Sequence, residues 1–115
     1  MFELKWTIEA EAIYLELEHR AETSFKNHKK LKQHKPSKIE GLFKQVHKTI
    51  DLLKSNPRHP SLHTHEYDSI EHPFDPKRKI FEAYAQNNTP GAYRVFWCYG
   101  PTKKQITIIS ITPHP

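Results

Sequence analysis

Three features of this 115-residue chain can do chemistry without a metal: an arginine inside a strand, a group of histidines and two runs of cations. Arg94 stands in Gly91 to His114, GAYRVFWCYGPTKKQITIISITPH, which reads as two strands joined at the breaker Gly100-Pro101. A strand core has no packing use for a guanidinium. Arg94 therefore sits on a solvated face, pairs with a carboxylate such as Glu82 on the neighbouring strand, or holds an anion. His63 and His65 are two apart, a spacing that puts both on one side of an extended segment. Such a pair also suits zinc or copper, but a metal site needs further ligands at matching spacing. His59 and His72 lie nearby without that pattern, so neither a metal nor a cofactor is expected. His114 follows the last strand, and an imidazole titrating near neutrality is a suitable general acid. Glu66 reads most plainly as an exposed loop carboxylate. The single cysteine, Cys98, excludes an internal disulfide, fits a reducing compartment, and reads as a buried, inert thiol between Trp97 and Tyr99.

Charge is segregated along the chain. Residues 1–22 carry six acids against Lys5 and Arg20, a balance of −4; residues 23–58 carry ten Lys/Arg against Glu40 and Asp51, a balance of +8. The basic block, with Lys29, Lys30 and Lys32 in it, has the electrostatic footprint of a polyanion-binding surface, or of a solvated helix face. Lys77, Arg78 and Lys79 form a second short run suited to phosphate contacts or to a solvated turn. No apolar run approaches the roughly 20 residues of a membrane span, and the acidic, amphipathic first 18 residues do not resemble a secretory signal. A cytoplasmic protein with no membrane partner is the expectation.

The elements that position these residues follow from periodicity. Phe2 to Trp6 reads as a first strand, and Thr7 can cap a helix that carries Glu9 and Glu11 in its first turn. Ala10, Ile13, Tyr14, Leu17, Ala21 and Phe25 recur at helical steps, predicting a helix near 9–32. Ser37 and Glu40 have capping-box spacing, and Ile39, Leu42, Phe43, Val46, Ile50 and Leu53 make a clean stripe over 38–55. Asn56-Pro57 ends that helix. Residues 57–79 read as mostly irregular, and Lys79 to Gln86, Tyr93 to Tyr99 and Gln105 to Thr112 read as strands. On the last of these, Ile106 and Ile108 are expected on one face, with Ile109 and Ile111 on the other. The prediction is one α+β domain spanning 1–115 in the order β-α-α-β-β-β. Its helical hairpin packs on one face of a four-stranded, mostly antiparallel sheet, with the second-helix stripe against Trp97, Ile109 and Ile111.

The YR-containing strand, the turn and the isoleucine-rich strand ending in histidine resemble the RelE/ParE superfamily of small bacterial toxins. Leu52-Leu53-Lys54-Ser55-Asn56-Pro57, followed by His59-Pro60-Ser61-Leu62-His63-Thr64-His65, resembles the helix end and loop of that family. With the two helical segments upstream, the resemblance covers most of the chain in order. It implies a toxin of a toxin–antitoxin system that cleaves mRNA, commonly at the ribosome. It further implies a small acidic antitoxin as partner and a toxin–antitoxin hetero-oligomer. Cleavage would proceed by attack of a 2′-hydroxyl on the adjacent phosphate, with no metal. The resemblance assigns Arg94 to the scissile phosphate and His114, His63, His65 and Glu66 to the active face. ParE-type members instead inhibit DNA gyrase by protein binding, and a catalytically inactive, partner-binding member is a third possibility.

Overall fold

The computed structural model describes residues 1–30, 35–87 and 91–113. In chain order the elements are β1 (Glu3–Trp6), α1 (Ile8–Lys30), α2 (Lys38–Ser55), a 3-10 turn (Pro60–Leu62), β2 (His65–Tyr67), β3 (Ile80–Tyr84), β4 (Tyr93–Tyr99) and β5 (Gln105–Pro113). The sheet has five strands in the order β1-β5-β4-β3-β2, not the four that periodicity predicts. β2 is the missed strand. It is only three residues long, and its sequence of histidine, glutamate and tyrosine gives no apolar alternation to read. β1 joins the other edge in parallel with β5, while the remaining pairs are antiparallel.

Both helices start where side chains can satisfy their free N–H groups. The Thr7 hydroxyl accepts from the Ala10 N–H at 3.1 Å and donates to the Ile109 carbonyl at 2.7 Å, so one residue caps α1 and ties it to β5. Ser37 and Glu40 form the full capping box at the start of α2. The Glu40 carboxylate also accepts from the Ser24 hydroxyl on α1 at 3.0 Å, which joins the two helices.

The α2 stripe packs on the sheet as predicted, except that Ile109 is not among its partners. Val46, Ile50 and Leu53 are buried in one cluster with Trp97 and Ile111, and Ile39, Leu42 and Phe43 pack at its margin. On α1, Ala10, Leu17 and Ala21 are buried, whereas Ile13 and Phe25 are exposed.

The faces of β5 need a correction. Trp97 pairs with Ile108 but Phe96 pairs with Ser110, so Ile109 is an extra residue in a β-bulge. The bulge reverses the alternation, so Ile111 lies in the helix-side core as expected but together with Ile106 and Ile108, while Ile109, expected beside it, is outside that cluster. On β4 the same side carries Tyr93, Val95, Trp97 and Tyr99, which leaves Arg94, Phe96 and Cys98 on the face away from the helices.

Segment 68–79 touches the Tyr99 end of β4. A Cβ on Gly100 would meet Phe74 at 3.3 Å and Arg78 at 3.5 Å, and Gly100 itself has φ +116. His72 shapes this segment, its Nδ1 accepting from the N–H groups of Phe74 and Asp75. Burial pushes the Cys98 thiol up to about 11, with a smaller opposing effect from Arg78, consistent with an inert sulfur.

Candidate functional site

Cross-strand register gathers the chemistry at one end of the helix-free face. Arg94 pairs with Tyr84, Glu82 pairs with Phe96, and His65 pairs with Glu82, so all point to the same side. The Arg94 guanidinium lies over the Tyr84 ring with its carbon 3.7 Å from the ring centroid. Its Nη1 donates to the Gln86 carbonyl at 2.7 Å and to the Tyr93 carbonyl at 3.3 Å, and its Nε is buried without a partner. The side chain is 6 % exposed. Among the described residues no carboxylate lies within ion-pair distance of Arg94. The Glu82 pairing open to it in the sequence is taken by an imidazole.

That imidazole is His65. Its Nε2 stands 2.6 Å from Glu82 Oε1, and its Nδ1 stands 3.2 Å from the His63 carbonyl. The Glu82 carboxyl and the His63 carbonyl thus bracket the ring from its two nitrogens. Glu82 is 1 % exposed and its second oxygen has no partner. A buried carboxylate in that position fixes the ring orientation of a half-exposed histidine. His63, in the left-handed region at φ 49 and ψ 39, ends the 3-10 turn. Its ring and that of His65 each lie 5.6 Å from Tyr84. Tyr84 therefore stands at the centre, with Arg94, His63 and His65 around it.

The remaining candidates fall elsewhere. Glu66 alternates to the other side of β2 and pairs with Lys79 at 2.7 Å, a contact that raises the Lys79 pKa. Lys77 and Arg78 lie in the exposed turn before β3, and the Lys77 N–H bonds to Asp75. Lys29 and Lys30 are exposed in the last turn of α1. Lys32 and His114 lie outside the described residues. A cavity of 610 Å³ beside the helices, lined by residues such as Arg20, Ser24 and His28, does not include the Arg94 group. Among the described residues, no group of three or more His, Cys, Asp or Glu could hold a metal ion. No helix among them is long and apolar enough to cross a membrane.

Sequence reasoning missed Tyr84 and the pairing of Glu82 with His65. The signal was present in the alternation of IFEAY, which puts Glu82 and Tyr84 on one face beside Arg94 of the next strand.

No family model and no curated protein sequence matches the chain. A solved structure described as a YoeB/ParE toxin from Agrobacterium tumefaciens does match, with a TM-score of 0.60 at 9% sequence identity. The match covers 99% of this chain and 100% of that one. The helical hairpin and the mixed sheet are thus shared, as a fold, with that YoeB/ParE toxin structure.

Proposed function

We propose that the protein is the toxin of a toxin–antitoxin pair and cleaves mRNA in the cytoplasm without a metal. One observation carries this reading: Arg94, without a carboxylate partner among the described residues, shares the Tyr84 ring with His63 and His65 on the helix-free face. A buried guanidinium without a counter-ion leaves positive potential where a phosphate would relieve it. Attack of a ribose 2′-oxygen on phosphorus, with loss of the 5′-oxygen, needs that charge and a proton for the leaving group. His65 supplies the proton from Nδ1, exchanging its long bond to the His63 carbonyl for the leaving oxygen, while Glu82 holds Nε2. His114 is the partner base for the 2′-hydroxyl. The basic residues Lys29, Lys30, Lys32, Lys77, Arg78 and Lys79 hold the RNA backbone, and a small acidic antitoxin neutralises the protein.

Growth arrest and cleavage of mRNA, with and without ribosomes, test the reading directly. Arg94→Ala should abolish both while the protein stays folded; cleavage at the native rate in that variant overturns the assignment. The gyrase-inhibitor reading draws on one observation, that both His65 nitrogens are already engaged. Inhibition of DNA supercoiling with no RNA cleavage would establish it instead.

A further inference from the structure

A 420 Å³ cavity lies on the helix side of the sheet, between segment 57–64 and the strands. Its walls are aromatic. Phe81 and Trp97 stack with centroids 4.9 Å apart at 29°, and Tyr99 meets Trp97 edge-on at 5.0 Å. Two polar atoms of its lining residues are buried without a partner, Trp97 Nε1 and Thr64 Oγ1. An indole N–H can only donate, and a buried donor left unpaired is costly unless a ligand or water meets it.

The polar groups around the cavity are cations and donors. Arg58 is exposed and, among the described residues, has no carboxylate within ion-pair distance. His59 Nδ1 accepts from the Ser61 N–H and lies 2.7 Å from its hydroxyl, so the proton of the neutral ring is on Nε2. No Asp or Glu is among the lining residues. The volume falls within the roughly 300–1,000 Å³ of small-molecule sites. A matching ligand is flat and aromatic, carries ring acceptors, and bears an anionic group.

We propose that this cavity binds a nucleoside monophosphate, either free or as one residue of an RNA chain. The base lies against Phe81, Trp97 and Tyr99, its ring acceptors take the Trp97 N–H and the Thr64 hydroxyl, and the phosphate meets Arg58. Arg94, Glu82 and His65 lie on the opposite side of the sheet and His63 borders both sites, but no step of this proposal uses His63, so it does not rest on the nuclease reading and either can fail alone.

The chain has two tryptophans, which gives NMR a simple readout. The Trp97 indole N–H is assigned by its proximity to Phe81 and Tyr99, then followed during titration with AMP, GMP, CMP and UMP to millimolar concentration. At least one monophosphate should shift the Trp97 signal saturably and leave that of Trp6 unmoved. Arg58→Gln, at an exposed position, should weaken this binding at least tenfold, and Thr64→Val should weaken it further. Tighter binding of a short single-stranded RNA than of its mononucleotide identifies RNA as the source; the reverse identifies a free nucleotide. An indole signal unmoved by all four monophosphates, or a response undiminished in Arg58→Gln, overturns the proposal.

Discussion

Glu82 and His65 make the closest carboxylate–imidazole contact among the described residues, and their exposures are unequal: the carboxylate side chain is 2% exposed and the imidazole 47%. Removing the histidine leaves a buried carboxylate unpaired, whereas removing both partners leaves no charge behind. A double-mutant cycle of His65→Ala and Glu82→Gln should therefore show coupling of about 1–3 kcal/mol by denaturant unfolding. Coupling near zero would mean that the pair does not persist in solution. If His65 delivers a proton, Glu82→Gln should also slow RNA cleavage, by about 10²-fold or more, without weakening RNA binding. Arg94→Lys separates charge from shape at the same site. It retains the positive charge but loses the planar fork on Tyr84, so it should restore only part of the activity lost in Arg94→Ala. Arg94 and the two histidines were legible in the sequence as chemistry, because a guanidinium in a strand has no packing role. Their convergence on Tyr84 was not legible, since it depends on β2 lying beside β3, and β2 has no periodic signal.

The second helix is the element in which sequence and structure agree most closely. Its stripe and its capping box are local features, complete within 18 residues. Ile50 is 4 % exposed and belongs to the central cluster, so Ile50→Ala should cost about 2–5 kcal/mol in chemical denaturation. A loss below about 0.5 kcal/mol would place this stripe outside the core. The capping box also gives the hairpin an acid limit. The Ser37 hydroxyl, then the Ser37 N–H, with smaller help from Ser24 and His28, hold the Glu40 pKa down to about 2 against the opposing effect of burial. A carboxylate whose pKa is lower in the folded protein stabilises it fully above the ordinary carboxylate range. That contribution fades as the pH falls towards about 2. Thermal unfolding followed from pH 6 down to pH 2 should thus decline less steeply in Glu40→Gln than in the parent; parallel curves would rule the linkage out. The bulge at Ile109 shows what periodicity leaves unseen. One extra residue moves Ile111 to the other face, and what fixes it is the Thr7 hydroxyl, more than 100 residues away.

Across the whole molecule, charge follows the helices. α1 begins with Glu9 and Glu11 and ends with His28, Lys29 and Lys30, an order that also suits the helix dipole. The protein extends 52 Å along its long axis and 26 and 23 Å across it, so acidic and basic segments need not cancel locally. RNA affinity should fall linearly with salt on logarithmic axes, and Lys29→Gln, Lys30→Gln and Lys32→Gln together should flatten the slope by about 2. An unchanged slope would remove these lysines from the RNA surface. The parallel pairing of β1 with β5 bears on synthesis. The first strand made can pair only after the last has emerged, and α1 packs on that same last strand. A chain interrupted after Tyr99 would contain Arg94, His63 and His65, yet lack the surface that orders β1 and α1. Proteases meet such a chain unfolded. The fold thereby makes β1 and α1 wait on β5, and a message truncated before β5 yields a degradable fragment in place of a partly folded domain.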